Sequence, residues 1–456
     1  MIKIIQSFWS GQQNIETSNF GWASPKFHTL SWILSCVQLS KFYDVELYTD
    51  NEGYEFLINK LNLPYKKVHI VLDELNSFHK DFWALPKIKT YSLQQGPFLH
   101  VDGDVFIWGK FPDDLLKSGV ISQNLEITTD YYRTMWKRIQ PHLYFVPEEI
   151  EGYVTHQNNF ACNMGIFGGN DSNFLQKYAA KSFEFAEKNK SLPKYVHAGN
   201  FNIFFEQVLL FEMLMRDQKE SNYLFNETSF DNNYEGFGSF DEVPLKRKYL
   251  HLLGDYKRSK EVCKQMESYV LMHYPEYFKK IIDLFPNDYN WLIKIKNYDF
   301  SFSENVRRIQ GFVEYHRNEI ESIKIENRNE YLFNRNLACI SSQYNLLKFI
   351  QDGEDFYIKK LKKNYIKVFE KQSENFDAEL IIDEIDDEQM RISIDEIDSI
   401  ILEKASYGIA YSKLKNELFE MLDQDAVQMI QEFNNMIDER LSYYLKNRII
   451  LIYDIE

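Results

Sequence analysis

At 456 residues, 44% hydrophobic and 16% aromatic, the chain has material for two or three domains with substantial cores, which excludes a disordered or fibrous protein. A formal charge of −16 without any long basic cluster argues against nucleic acid or an anionic membrane surface as a partner. No apolar run approaches a membrane span, the first residues are too short and interrupted for a signal peptide, and the four cysteines (36, 162, 263, 339) have neither zinc nor disulfide-framework spacing, so a soluble, cytoplasmic protein with reduced thiols is expected.

Lys3 to Phe8 reads as a strand, and a polar, glycine-containing loop runs from there to residue 24. Leu30, Ile33, Leu34, Val37 and Leu39 recur at helical spacing over 28–43, and 44–50 alternates as a second strand. A helix over 54–61, a strand over 67–71 and a helix over 83–92 continue the alternation. That order predicts an α/β fold with a mostly parallel sheet, whose ligands gather at the carboxyl ends of the strands. Neither a G-x-G-x-x-G after the first strand nor a Walker lysine loop is present, so the usual dinucleotide fingerprint is absent.

Pro97 to Phe106 predicts a buried strand over 97–107, with Asp102-Gly103-Asp104 placed where it should end. Two carboxylates separated by a glycine can approach one hard divalent cation from the same side and leave coordination positions for a diphosphate. The same Asp-Gly between apolar runs is also a type I′ hairpin signal, in which Asp102 would serve only to tolerate positive φ. Further on, Asn163-Met164-Gly165 opens a short apolar strand over 163–170 whose glycines would admit a ligand to the backbone, or simply make a turn. A helix over 197–218 is mostly aromatic and aliphatic, with Asn200, Asn202, Glu206 and Gln207 at its front end. Glu206 is the residue out of place there.

His251-Leu252-Leu253-Gly254-Asp255-Tyr256-Lys257 follows an apolar approach. A histidine can complete a metal site begun by two carboxylates, a glycine lets the backbone near a phosphate, and a lysine supplies the compensating cation. The plainer alternative for His251 is a satisfied histidine at a strand end.

Together these residues make positions 1–290 resemble a GT-A-type glycosyltransferase, most similar to the retaining glycosyltransferase family 8 group. The matching segments are Asp102-Gly103-Asp104, Asn163-Met164-Gly165, and His251 with Gly254 and Lys257. The resemblance implies that Asp102, Asp104 and His251 ligate Mn²⁺ or Mg²⁺, and that Gly254 and Lys257 meet the diphosphate of a donor such as a UDP-sugar. It also implies that Ser7 and Trp9, at the first strand and its loop, hold the nucleotide with Asn163 and Gly165 nearby, and that Gln207, beside Glu206, sits near the anomeric carbon. Two departures stand out: Lys257 is followed by Arg258-Ser259 where the family has Pro-Trp, and its D-Q-D segment appears as Glu206-Gln207-Val208. Trp22, Trp83, Tyr131, Tyr132 and Trp136 are candidates to stack on sugar rings or plain core aromatics. Lys87 and Lys89 could aim a cation at the donor or lie on a solvated face. The competing functions are a nucleotidyltransferase and a catalytically inactive binding module of the same fold.

Beyond 290 the pattern turns helical, with spans over 304–323 and 330–350 and a basic turn at 359–363, which suggests a connector over 291–364. Between 374 and 403 twelve acids face the single base Arg391, broken by strand-like 380–382 and 392–394. Helices over 396–405, 411–422 and 425–446 and a closing strand over 448–452 complete a small α+β domain over 365–456. Its hydrophobic outline is similar to the winged-helix peptide-recognition element of enzymes that modify ribosomally made peptides. That resemblance implies an extended peptide partner, and the acidic strands would favour a basic one. A helical dimerisation or capping domain is the other reading.

Overall fold

The computed structural model describes residues 2–244, 247–289, 355–360, 364–368, 378–383, 389–421, 430–446 and 449–454. The helices expected over 304–323 and 330–350, residues 361–363, the front of the 425–446 helix, Arg448 and part of the acidic stretch lie outside them. The described residues fall into two compact units, Met1–Cys263 with Asp283–Phe285, and Lys264–Ile282 with Pro286–Glu456.

The first unit is α/β. Its strands are β1 (Lys3–Phe8), β2 (Val45–Thr49), β3 (Lys67–Ile70), β4 (Phe98–Val101), β5 (Val105–Ile107), β6 (Ile121–Ile127), β7 (Phe160–Gly169), β8 (Asn222–Tyr223), β9 (Ser229–Phe230) and β10 (Tyr249–His251). Its helices are α1 (Pro25–Ser40), α2 (Asn51–Tyr54), α3 (Leu85–Ser92), α4 (Asp113–Leu116), α5 (Asp130–Ile139), α6 (Glu151–Val154), α7 (Ser172–Lys188) and α8 (Leu209–Arg216). The main sheet runs β3-β2-β1-β4-β7-β6-β8, with β9 also on β6. Pairing is parallel from β3 through β4 and antiparallel on both sides of β7, so the sheet is mostly parallel. The order puts β4, which carries the chain into Asp102, at the middle of the sheet.

The first strand forms where expected, because Ile4, Ile5 and Phe8 bury against helices on either face. α1 starts earlier than the apolar spacing indicates, at Pro25, whose fixed φ suits a first helical position. The expected strand over 97–107 is two strands. β4 stays in the main sheet, while β5 turns away to pair antiparallel with β10, setting Val105 opposite His251. The helix expected over 197–218 is a 3₁₀ turn (Ala198–Phe201), a π-helical turn (Phe204–Val208) that contains Glu206 and Gln207, and α8.

In the second unit, after helices α9 (Lys260–His273, which begins in the first unit) and α10 (Pro275–Leu284), come β11 (Phe356–Lys360), β12 (Asn364–Val368), β13 (Ala378–Asp383), β14 (Gln389–Ile394), α11 (Glu396–Tyr407), β15 (Ile409–Ala410), α12 (Tyr411–Glu420), α13 (Ile430–Lys446) and β16 (Ile450–Asp454). β12, β13 and β14 form an antiparallel meander, and β11 pairs with both β15 and β16. Strand pairing therefore reaches upstream of residue 365. Ile358, Leu380, Ile401, Leu402, Leu414 and Leu441 share one core. Asp395 and Asp398 make a capping box on α11, and Arg440 of α13 pairs with both, at 2.7 and 2.5 Å.

Candidate metal and diphosphate site

The Asp102–Val105 turn is not a hairpin. Val105 N–H donates to the Asp102 carbonyl at 3.1 Å, but Asp102 and Gly103 both keep negative φ and the flanking strands belong to different sheets. Gly103 is required by crowding instead, since a Cβ there would fall 2.5–2.8 Å from the Trp32 indole. The carbonyls of the turn are bound by α1: Ser31 Oγ donates to Gly103 O at 2.6 Å and Ser35 Oγ to Asp102 O at 3.3 Å. Held this way, both aspartate side chains are left to other partners.

β10 brings in the histidine. One ligand atom from each of Asp102, Asp104 and His251 lies within 4.8 Å of the others, a pair of hard oxygens and an imidazole suited to Mn²⁺ or Mg²⁺. His251 Nε2 sits 3.5 Å from Asp104 Oδ1, and Leu252 N–H donates to the Asp104 carbonyl at 3.0 Å. The other ring nitrogen is committed: Nδ1–H donates to Gln123 Oε1 at 2.7 Å, which also accepts from Tyr249 OH at 2.6 Å. With Nδ1 held by Gln123, Nε2 is the nitrogen that faces the carboxylates and the one a metal would take. Gly165 of β7 makes room, because a Cβ on it would run into both Gln123 and the His251 ring.

Each aspartate also has its own lysine. Lys87 of α3 donates to Asp102 Oδ2 at 2.9 Å and to Glu206 Oε1 at 2.5 Å, and Lys257 pairs with Asp104. Burial pushes the Asp102 carboxyl up to about 6, with Lys87 pulling the other way. Burial also works against charge on Asp104, but Lys257 and His251 outweigh it and hold the group well below the usual carboxylate range. Glu206 is wholly buried and raised by that burial despite Lys87, and its Oε2 has no hydrogen-bond partner among the described residues. Two neighbouring carboxyls thus titrate apart because their cations differ in placement.

The remaining sequence candidates separate. Ser7 Oγ lies 2.9 Å from His100 Nε2, and the other nitrogen of that buried ring is 3.5 Å from Asp102 Oδ1. Trp9 is a core residue whose indole N–H donates to Asn76. Asn163 accepts from Gly165 N–H at 3.0 Å and donates to Glu126 Oε1 at 2.8 Å. Gly254 has φ +53° in open space, on the short turn (Gly254–Lys257) that carries Lys257. Gln207 is engaged by a tyrosine: Tyr132 OH lies 3.0 Å from its Oε1 and 2.8 Å from Glu126 Oε2. Lys89 pairs with Glu74.

Gln123 and Glu126, both on β6, were not among the sequence candidates. Glu126 collects Asn163, Tyr132 and Tyr234, and Asn124 joins Tyr234 to Gln123 at 3.3 and 2.9 Å, so one hydrogen-bonded chain runs from Gln207 to His251. A run of polar residues inside a strand, Ser122-Gln123-Asn124, was the available signal.

Residues 2–284, which include every residue of this site, match the sequence profile of DUF6734, a family of unknown function. The chain belongs to that family. No curated protein sequence matches this member of DUF6734. Among solved structures it is similar to the galactosyltransferase LgtC in complex with donor and acceptor sugar analogs, at 11% identity over 45% of this chain and 70% of that one, with a TM-score of 0.26. It is also similar to the apo form of mouse xyloside xylosyltransferase 1, at 10% identity over 49% and 84% of the two chains, with a TM-score of 0.24. Among the described residues no helix is long and apolar enough to cross a membrane.

Proposed function

We propose that this chain is a metal-dependent, GT-A-type glycosyltransferase that moves a hexosyl group, with retention, from a UDP-sugar to an acceptor. The observation that carries the reading is the convergence of Asp102, Asp104 and His251 from two strand ends, with Lys257 already against Asp104. Asp102, Asp104 and His251 Nε2 would hold Mn²⁺ or Mg²⁺, which would supply Lewis-acid stabilisation of the departing diphosphate. The chain's own contribution is positional. Gln123 presents His251 in one tautomer, Gly165 gives it space, and α1 fixes the backbone of the Asp102–Asp104 turn. Lys257, partly exposed on a short turn, can offer its ammonium to an anion as well as to Asp104, and so offset negative charge developing on the leaving group.

For the acceptor we propose a basic peptide docked on the second unit. Supporting this, β14 pairs on one side only among the described residues, and a groove of about 720 Å³ runs beside it, lined by Ile392, Ile394, Met436, Glu439, Arg440 and Tyr443. With Arg440 already bound by Asp395 and Asp398, the groove carries net negative charge, which suits a lysine-rich strand.

The test of the donor chemistry is hydrolysis of a panel of UDP-sugars with and without Mn²⁺, comparing the native chain with Asp104→Ala. Activity on at least one sugar should require the metal and fall about a hundredfold in the variant. Turnover indifferent to both chelator and substitution would remove the metal from the reading, and no turnover on any sugar with Mn²⁺ would leave a binding module.

A further inference from the structure

The five aromatic candidates for sugar contact divide by exposure. Trp22, Tyr132 and Trp136 are core side chains, whereas Trp83 keeps 46% and Tyr131 62% of their surface in water. Trp83 is exposed yet held rigidly. Its indole N–H donates to Gly199 O at 2.9 Å, and the wholly buried Asn202 ties the same two segments together, donating to Asp81 O at 2.6 Å and Gly199 O at 2.7 Å while accepting from Ala84 N–H at 2.9 Å. The Lys87 ammonium lies 5.8 Å from the centre of the Trp83 ring, and the same ammonium bonds Asp102 and Glu206. The ring is thus one side chain away from the candidate metal carboxylates.

A single exposed apolar residue needs no explanation in general. A tryptophan fixed by its own hydrogen bond, with its surroundings locked by a buried asparagine, and standing over an active-site lysine, is a different case. It offers a flat apolar surface of low conformational entropy, bordered by an ammonium. A pyranose matches that chemistry, because one of its faces is a patch of C–H groups and its rim carries hydroxyls. Tyr144, which is more exposed, is tied to the site by no comparable side-chain contact among the described residues.

We propose that Trp83 is a stacking platform for a pyranose ring at this site, either the sugar being transferred or a sugar on the acceptor. The inference rests on the donor reading above. In the presence of Mn²⁺, the affinities of the native chain, Trp83→Ala and Trp83→Phe for UDP alone and for UDP-glucose, UDP-galactose and UDP-N-acetylglucosamine should be measured by calorimetry, alongside transfer to a panel of methyl glycosides.

UDP should bind all three proteins equally. If the platform serves the donor, Trp83→Ala weakens the UDP-sugar about tenfold; if it serves the acceptor, UDP-sugar affinity holds and the glycoside KM rises about tenfold. Trp83→Phe should keep most of the native affinity in either case, since it retains a six-membered aromatic face while losing the N–H. An equal loss in Phe and Ala would show that the bond to Gly199 is what matters. A loss on UDP itself would assign the ring to the base, and no change in either arm would remove the platform; each of these overturns the proposal. A native chain that binds no UDP with Mn²⁺ would instead remove the donor reading, and the platform with it.

Discussion

His251 can offer Nε2 to a metal only while something holds the proton on Nδ1, and in this chain that is Gln123. The amide of Gln123 cannot turn over freely: its oxygen accepts from His251 and Tyr249, and its nitrogen donates to Asn124. Replacing it with leucine would leave the Nδ1–H without an acceptor in a buried place and release the ring to adopt the other tautomer or a new rotamer. Gln123→Leu should therefore bind Mn²⁺ about ten- to a hundredfold more weakly, measured by the free-Mn²⁺ signal in electron paramagnetic resonance, with the folded structure retained. Gln123→Glu, which keeps the acceptor, should recover much of the affinity. Equal metal affinity in native and leucine forms would detach Gln123 from the site.

At the scale of elements, α1 is the backing plate of the Asp102–Asp104 turn. His28, Ser31, Trp32 and Ser35 fall at i, i+3, i+4 and i+7, one stripe of the helix. Trp32 packs on Gly103, Ser31 and Ser35 bind the turn's carbonyls, and the indole N–H of Trp32 donates to His28 Nε2 at 3.0 Å. His28 is almost fully buried, and burial, then Lys257, lowers its pKa to about 3. The ring stays neutral in the folded chain while the unfolded chain takes up a proton near 6.5. Its effect is nil above pH 6.5, and stability is lost progressively as pH falls from there toward 3. Between pH 7 and 5 that amounts to roughly 2 kcal/mol. Asp102, raised to about 6, works in the opposite direction over the same range in the metal-free chain, so the difference between proteins is what isolates the histidine. Urea unfolding of His28→Gln, which can keep an acceptor for Trp32, should show a pH 7-to-5 loss smaller than native by about that amount. Parallel pH profiles would mean that His28 is already charged in the native state.

The sequence made the opening strands and the Asp-x-Asp turn legible because their apolar runs alternate cleanly with helical spacing. It hid the stripe on α1, since histidine and two serines opposite an apolar face look like a solvated side. In the fold that face is buried too, against the turn. β6 was hidden for a related reason: Ser122, Gln123, Asn124 and Glu126 are all buried there, and period-two hydrophobicity cannot flag a strand whose interior is polar. The metal candidates were readable as residue types at the ends of apolar runs. Their tautomer, their lysines and the glycine that spaces them depend on contacts between residues far apart in sequence.

On the scale of the whole molecule, the profile of the family stops at residue 284, and the residues described beyond 355 build a core and strand pairings of their own. Most of the excess acid is also there, between 374 and 403. A donor site on one unit and an acidic, strand-edged groove on the other would let substrate choice be made by docking while the chemistry stays with the α/β body. Deleting residues from 365 onward is a poor test, because β11 would lose its partner β16 and expose a new edge. Paired substitutions in the full chain avoid that: Glu439→Lys reverses a charge on the groove, and Tyr443→Ala removes an exposed ring from α13. The double variant should hydrolyse the UDP-sugar at the native rate yet bind a fluorescein-labelled, lysine-rich ten-residue peptide at least tenfold more weakly, and native binding should weaken as salt is raised. Peptide affinity equal in the two proteins, or indifferent to salt, would leave the donor chemistry standing and remove the groove as the place where the acceptor is chosen.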